Sequence, residues 1–122
     1  MRLRWAAFAM LALAACRSTS VEHRTQGLRE LYPADTTTRA DVRTSLGGGP
    51  ILSVTRPEAG WESCSDVDVA NRADDVAMET GRQVELVERY ILPDGLFGLC
   101  YCWFFYDEDD RVVDVAWQYC SD

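Results

Sequence analysis

The sequence of 122 residues predicts one small α+β domain behind an N-terminal export segment. Three observations carry that expectation. The first fifteen residues are basic, then apolar, then small. Short, well-punctuated helical patterns occupy the first two thirds of the remainder. The last third alternates apolar and polar residues with period two and holds most of the aromatic side chains. The expected architecture is two short helices plus an inserted third, packed on a small antiparallel sheet of three to four strands.

Arg2 and Arg4 precede an uncharged run from Trp5 to Ala15, which is the layout of a secretory signal. The run is too short to span a bilayer, which takes roughly 20 apolar residues. It ends in Leu13-Ala14-Ala15-Cys16. That tetrad resembles the lipobox of bacterial lipoproteins, in which the cysteine thiol carries diacylglycerol, the chain is cut before it and the new amine is acylated as well. The resemblance implies a signal peptide over 1–15 and a fatty-acylated (palmitate-type) Cys16. Several acyl chains at about 0.8 kcal/mol per buried methylene hold a protein on a membrane essentially permanently. Arg17 follows Cys16, where an aspartate is absent; in enterobacterium-like sorting this resembles an outer-membrane address. Residues 16–23 then read as a lipidated cysteine and polar tether, and 24–122 as the folded domain. His23, the single histidine, adjoins the tether and reads as solvated.

Residues 24–32 place Leu28, Leu31 and Tyr32 on one side of a short helix that Pro33 ends. In the segment from Thr36 to Gly47, Thr38 is an N-cap with Asp41 three residues on, Val42 and Leu46 share the buried side, and Gly47 supplies the left-handed stop. Gly47-Gly48-Gly49-Pro50 breaks the chain, and Ile51 to Thr55 reads as a strand. After Trp61, Ser65 or Asp66 caps a third helix whose stripe is Val69, Ala73, Val76, Ala77 and Thr80, ended by Gly81. Val84, Leu86, Tyr90 and Leu92 alternate with Glu85 and Arg89, and Pro93-Asp94-Gly95 is a turn signal. Leu99 to Tyr106 is apolar on both faces and reads as a central strand. Asp107 to Arg111 turn the chain into a last strand that alternates Val113, Val115, Trp117 and Tyr119.

With Cys16 assigned to lipid, Cys64, Cys100, Cys102 and Cys120 remain. An even count in a small exported domain reads as two disulfides. Cys100 and Cys102 lie in one strand, on one face, about 6.5–7 Å apart along the chain, whereas a disulfide brings β-carbons to about 3.8 Å. Each is therefore expected to pair elsewhere. A three-residue loop at Asp109–Arg111 would set Tyr101 opposite Tyr119, Trp103 opposite Trp117, Phe105 opposite Val115 and Cys100 opposite Cys120. A two-residue loop would move Cys120 to the other face. This favours Cys100–Cys120 with Cys64–Cys102; Cys64–Cys100 with Cys102–Cys120 stays open.

Removing Arg2 and Arg4 with the signal lowers the formal charge from −8 by two, to −10, which argues against nucleic acid or anionic headgroups as partners. Every basic residue except His23 is arginine. A serine nucleophile needs a base and an orienting group, and the one histidine sits by the tether. Cys/His zinc spacing is absent. Asp66, Asp68, Asp74, Asp75 and Glu79 form a solvated helix face. Asp107-Glu108-Asp109-Asp110 lacks the glycine and spaced ligands of a calcium loop. Cys100-Tyr101-Cys102 could be a redox pair, yet it lies mid-strand instead of at a helix N-terminus, where such thiols are activated. The sequence thus predicts no catalytic residue, metal or cofactor.

The segment Thr38 to Gly47, following a lipobox and a short first helix, resembles the opening of BamE/SmpA-type outer-membrane lipoproteins. Trp103-Phe104-Phe105-Tyr106-Asp107-Glu108-Asp109-Asp110-Arg111-Val112-Val113 is similar to their aromatic strand, acidic turn and valine-rich final strand. The resemblance covers roughly residues 28–50 and 99–118. It implies two helices on a three-stranded sheet, an arrangement also found in β-lactamase-inhibitory domains, and a role in outer-membrane assembly or maintenance. An extra helix and Cys64 stand between the two blocks. The expected function is a lipid-anchored, non-enzymatic envelope protein facing the periplasm that binds a protein partner; a periplasmic inhibitor-like binding domain is the alternative, and a thiol–disulfide redox protein using Cys100 and Cys102 a further one. A binding surface is expected if helices cover only one face of the sheet, because aromatic residues on the other would then need a partner; the alternative is that the extra helix covers that face.

Overall fold

The computed structural model describes residues 20–94 and 98–120. The expected signal peptide, Cys16 and Arg17 lie outside the described residues. Helices α1 (Val21–Leu31), α2 (Arg39–Leu46) and α3 (Val67–Thr80) accompany strands β1 (Leu52–Thr55), β2 (Leu86–Asp94), β3 (Gly98–Tyr106) and β4 (Val112–Tyr119). The strands form one antiparallel sheet in the order β1-β2-β3-β4, with α3 inserted between β1 and β2. The α+β class with three helices on a four-stranded antiparallel sheet agrees with the sequence expectation.

Helix α2 forms where its local signals place it. The Thr38 hydroxyl accepts from the Asp41 backbone N–H, and the Asp41 carboxylate accepts from the Thr38 N–H, closing a capping box. Gly47 ends the helix in the left-handed region at φ 75°. Helix α3 is bounded the same way by the Asp66 side chain, which accepts from the Val69 N–H, and by Gly81 at φ 70°. Helix α1 begins at Val21, inside the segment expected to be tether. Ser20 is its N-cap, accepting from the His23 N–H, and Glu22 adds a favourable charge to the first turn. His23 is accordingly half-buried in a helical turn, with Nε2 enclosed and unpartnered; the solvated histidine expected from the tether is corrected.

The sheet is covered on both faces. Helices α1 and α2 close the first over Leu86, Tyr90, Cys100, Cys102, Phe104, Tyr106, Val115 and Trp117, together with Tyr32 and Val42. Phe104 is its centre, meeting Tyr32 and Tyr90 edge-on at centroid distances of 5.2 and 5.6 Å. Helix α3 and a single 3-10 turn at Trp61–Ser63 close the second over Val84, Val87, Trp103, Phe105 and Val113. The Trp61 indole N–H donates to the Val84 carbonyl at 2.8 Å, pinning that turn to the sheet. Arginine stems from α3 and β2 complete the cover. Arg72 lies 4.5 Å from the Trp103 ring centre, and Arg89 lies over both Tyr101 and Trp103. The aromatic residues of β3 are therefore covered within the chain, the second face by the inserted helix, which is the alternative the sequence left open.

The β3–β4 register differs from expectation by one residue. Tyr106 pairs with Val112, but Phe105 pairs with Asp114, so Val113 is an extra residue in β4. The loop is five residues long. Asp107 accepts the Asp109 and Arg111 backbone N–H groups on Oδ1, and Asp110 takes the left-handed conformation at φ 59°. As a result Tyr101 faces Gln118, Trp103 faces Ala116, and Cys100 faces Tyr119 in place of Cys120.

Candidate functional site

Two clusters of reactive or ionisable side chains stand out, and both lie on the first face of the sheet. The larger is built on Glu88, which takes an inward position of β2 between Leu86 and Tyr90. Its carboxylate has no solvent exposure. Arg39, on the first turn of α2, donates from Nε to Oε1 at 3.2 Å and from Nη2 to Oε2 at 2.7 Å, the bidentate fork. Arg43, one turn later, reaches Oε2 at 3.5 Å, and the Ser53 hydroxyl of β1 donates to the same oxygen at 2.8 Å. Burial pushes the Glu88 carboxyl up, but the Arg39 and Ser53 hydrogen bonds and the two guanidinium charges outweigh it and hold the group below its ordinary value. Glu88 is thus ionised at neutral pH and ties α2, β1 and β2 together.

Tyr90 and Tyr106 sit beside this carboxylate on the same face, and their hydroxyls are buried without a hydrogen-bond partner. Burial and the adjacent Glu88 charge raise both phenols, with Tyr90 adding to the effect on Tyr106. Neither phenol ionises near neutrality. The arrangement binds charge internally: the carboxylate is neutralised by its arginines and has no free proton to give or take. Sequence reading passed over Glu88 entirely. The available signal was its position, since Leu86, Glu88, Tyr90 and Leu92 share one parity and the second of them is charged.

The second cluster is the cysteine pair. Cys100 and Cys102 are 4% and 2% exposed, on one face as expected. The neighbouring Cys102 thiol lowers Cys100, helped by Trp117 and opposed by burial, while the Cys100 thiol and burial push Cys102 well up. All four described cysteines are free thiols. Neither bridge of the favoured connectivity is formed. Cys64 packs with the α3 side of the sheet and Cys102 with the opposite side, so the strand itself separates Cys64 from both Cys100 and Cys102. Cys120 lies one residue beyond the Cys100 position on β4, for the register reason given above.

The remaining sequence candidates resolve into structural roles. Asp107 organises the β3–β4 turn with Oδ1 and pairs Oδ2 with Arg82 at 2.8 Å, and Arg82 also pairs with Asp35. Asp66 caps α3, and Asp68 pairs with Arg72 four residues on. No group of three or more His, Cys, Asp or Glu side chains that could hold a metal ion occurs among the described residues. An open depression of about 490 Å³ lies between the 3-10 turn and the end of α3, lined by Arg56, Trp61, Glu62, Asp74 and Arg82 among others. No described helix is long and apolar enough to cross a membrane. Comparison with known proteins finds no matching family model, no matching curated protein and no matching solved structure. The BamE/SmpA-type resemblance therefore stands on its two sequence blocks alone.

Proposed function

We propose that this chain is a lipid-anchored lipoprotein of the bacterial envelope, held by acyl chains on Cys16 and acting by binding a protein partner, not by catalysis. The observation that carries the reading is the Leu13-Ala14-Ala15-Cys16 tetrad behind a basic and apolar leader. Its position relative to the fold supports it: residues 17–19 alone separate Cys16 from the Ser20 cap of α1. The carboxylates of Glu88 and Asp107 are engaged by Arg39 and Arg82, which favours a scaffold over a reaction centre there. Arg17 favours the outer membrane, with the domain in the periplasm. A role in outer-membrane assembly or maintenance follows from the sequence resemblance.

The test is Cys16→Ser in the full chain. The variant should move from the membrane to the soluble periplasmic fraction and lose the mass of the acyl groups, with its circular dichroism unchanged. Retention on the membrane refutes the anchor. Crosslinking in intact cells should then capture an envelope protein with the wild type; recovery of lipid adducts alone counts against a protein partner.

A second reading, a dithiol redox protein, rests on one observation: Cys100 and Cys102 are buried side by side on one face of β3. Oxidised glutathione would then convert the two thiols to a disulfide and be reduced to two glutathione thiols, with a potential near the glutathione couple. Thiols that stay reduced under that treatment refute it.

A further inference from the structure

Of the eight large apolar side chains exposed among the described residues, four lie at one end of the sheet, and Leu31, Ile51, Val67 and Met78 lie outside that group. Val21 at the start of α1, Ile91 on β2, Leu99 on β3 and Tyr119 at the end of β4 are 39–52% exposed. The register sets Ile91, which pairs with Tyr101, and Leu99, which pairs with Pro93, diagonally on the α3 face, and Tyr119, which pairs with Cys100, on the opposite face at the same end. Helix α1 runs beside β4 with its N-terminus at this end: Thr25 accepts from the Trp117 N–H, Arg24 stacks on Trp117 and pairs with Asp94, and Arg29 lies further along at Asp114. Asp35, Asp107, Glu108, Asp109 and Asp110 stand at the other end, about 26 Å away along β3.

We infer that the apolar rim formed by Val21, Ile91, Leu99 and Tyr119 rests on the surface of the lipid bilayer, with the acidic turn directed away from it. The inference rests on the anchor reading above. The chain enters the domain at the rim, and residues 16–20 reach at most about 17 Å, so the rim is held close to the headgroups. That tether alone would let the domain lie on its side. The distribution of side chains decides the tilt. Apolar groups at the rim gain from the interface, whereas the exposed carboxylates of Glu108, Asp109 and Asp110 in the far turn are repelled by anionic headgroups and keep their hydration when turned outward. At the rim itself Arg24 pairs with Asp94, and the exposed Glu22 beside Val21 adds one negative charge.

The test uses the mature acylated protein, reconstituted in vesicles of phosphatidylethanolamine and phosphatidylglycerol containing a phospholipid with a diazirine in its acyl chain. After irradiation, adducts are mapped by mass spectrometry. They should fall on peptides holding residues 91–101 and 119, at least tenfold above those holding 105–113. Double replacement Ile91→Asp with Leu99→Asp should leave the protein on the vesicles with unchanged circular dichroism and reduce the hairpin adducts at least fivefold. Adducts confined to residues 16–20, spread evenly, or concentrated on the acidic turn overturn the docking, as do hairpin adducts that survive the double replacement. Intact mass separates the two levels: an unmodified Cys16 overturns the anchor and the docking together, whereas an acylated Cys16 with misplaced adducts overturns the docking alone.

Discussion

Replacing Arg39 by alanine tests the ion-pair cluster most sharply, because the two partners of that pair differ in exposure. The Glu88 side chain has no exposure, whereas 31% of the Arg39 side chain is exposed. Removing Arg39 strips Glu88 of hydrogen bonds at 2.7 and 3.2 Å and leaves Ser53 at 2.8 Å and Arg43 at 3.5 Å. Hydrogen bonds to a charged group contribute about 1.5–3 kcal/mol each, and breaking a buried pair costs about 3–5 kcal/mol, so a loss of about 3–4 kcal/mol is expected at pH 7. Glu88→Gln keeps the shape and frees Arg39 to swing into water, so it should cost only about 1–2 kcal/mol.

The pH dependence of Arg39→Ala supplies an independent sign. In the wild type the Glu88 carboxyl is held below the 4.5 of an ordinary glutamate, so its contribution is complete above that pH and is lost as pH falls through the depressed value. Without Arg39, burial dominates and raises the carboxyl above its ordinary value. The folded state then binds the extra proton, and stability falls as pH rises from about 4.5 through the raised value. Urea unfolding followed by tryptophan fluorescence at pH 4.5, 5.5 and 7, read as variant minus wild type, isolates this group. A cost below about 1 kcal/mol with an unchanged pH profile, or a larger cost for Glu88→Gln than for Arg39→Ala, refutes the reasoning.

Thr38→Ala removes the hydroxyl that accepts the Asp41 N–H and should cost about 1 kcal/mol in the same denaturation assay; restoration by Thr38→Ser checks that the hydroxyl is responsible. Phe104→Ala empties the centre of the first face, where the ring is fully buried between Tyr32 and Tyr90, and should cost about 3–5 kcal/mol. In the reduced native protein, a thiol reagent should label half-buried Cys64 and Cys120 well before buried Cys100 and Cys102, with all four labelled at equal rates in urea; early labelling of Cys102 would contradict its packing.

Helix boundaries were legible where the stabilising contacts are local. Thr38, Asp41 and Gly47 act within one or two turns of themselves, and so do Asp66 and Gly81. Ser20 carried the same signal, but its neighbours Ser18 and Thr19 made a polar stretch that reads equally well as tether. The strand pattern was legible as alternation, yet Glu88 was passed over because a glutamate at an inward position makes sense only once Arg39, Arg43 and Ser53 arrive from three other places in the chain. The β3–β4 register failed on a single residue. Val113 is bulged, and nothing in Arg111-Val112-Val113-Asp114 distinguishes a bulge from a regular strand.

The sequence by itself determined the α+β class, the caps of α2 and α3 and the placement of the four strands, since capping and alternation are contacts between residues close in the chain. Tertiary structure alone decided the register, the separation of Cys64 from Cys100 and Cys102 across the sheet, the neutralisation of buried Glu88, and the gathering of Val21, Ile91, Leu99 and Tyr119 at one end. Each of these depends on which strand lies beside which and on which helix covers which face. A one-residue shift in pairing reverses every side chain it reaches, so such features arise only when the distant segments are packed together.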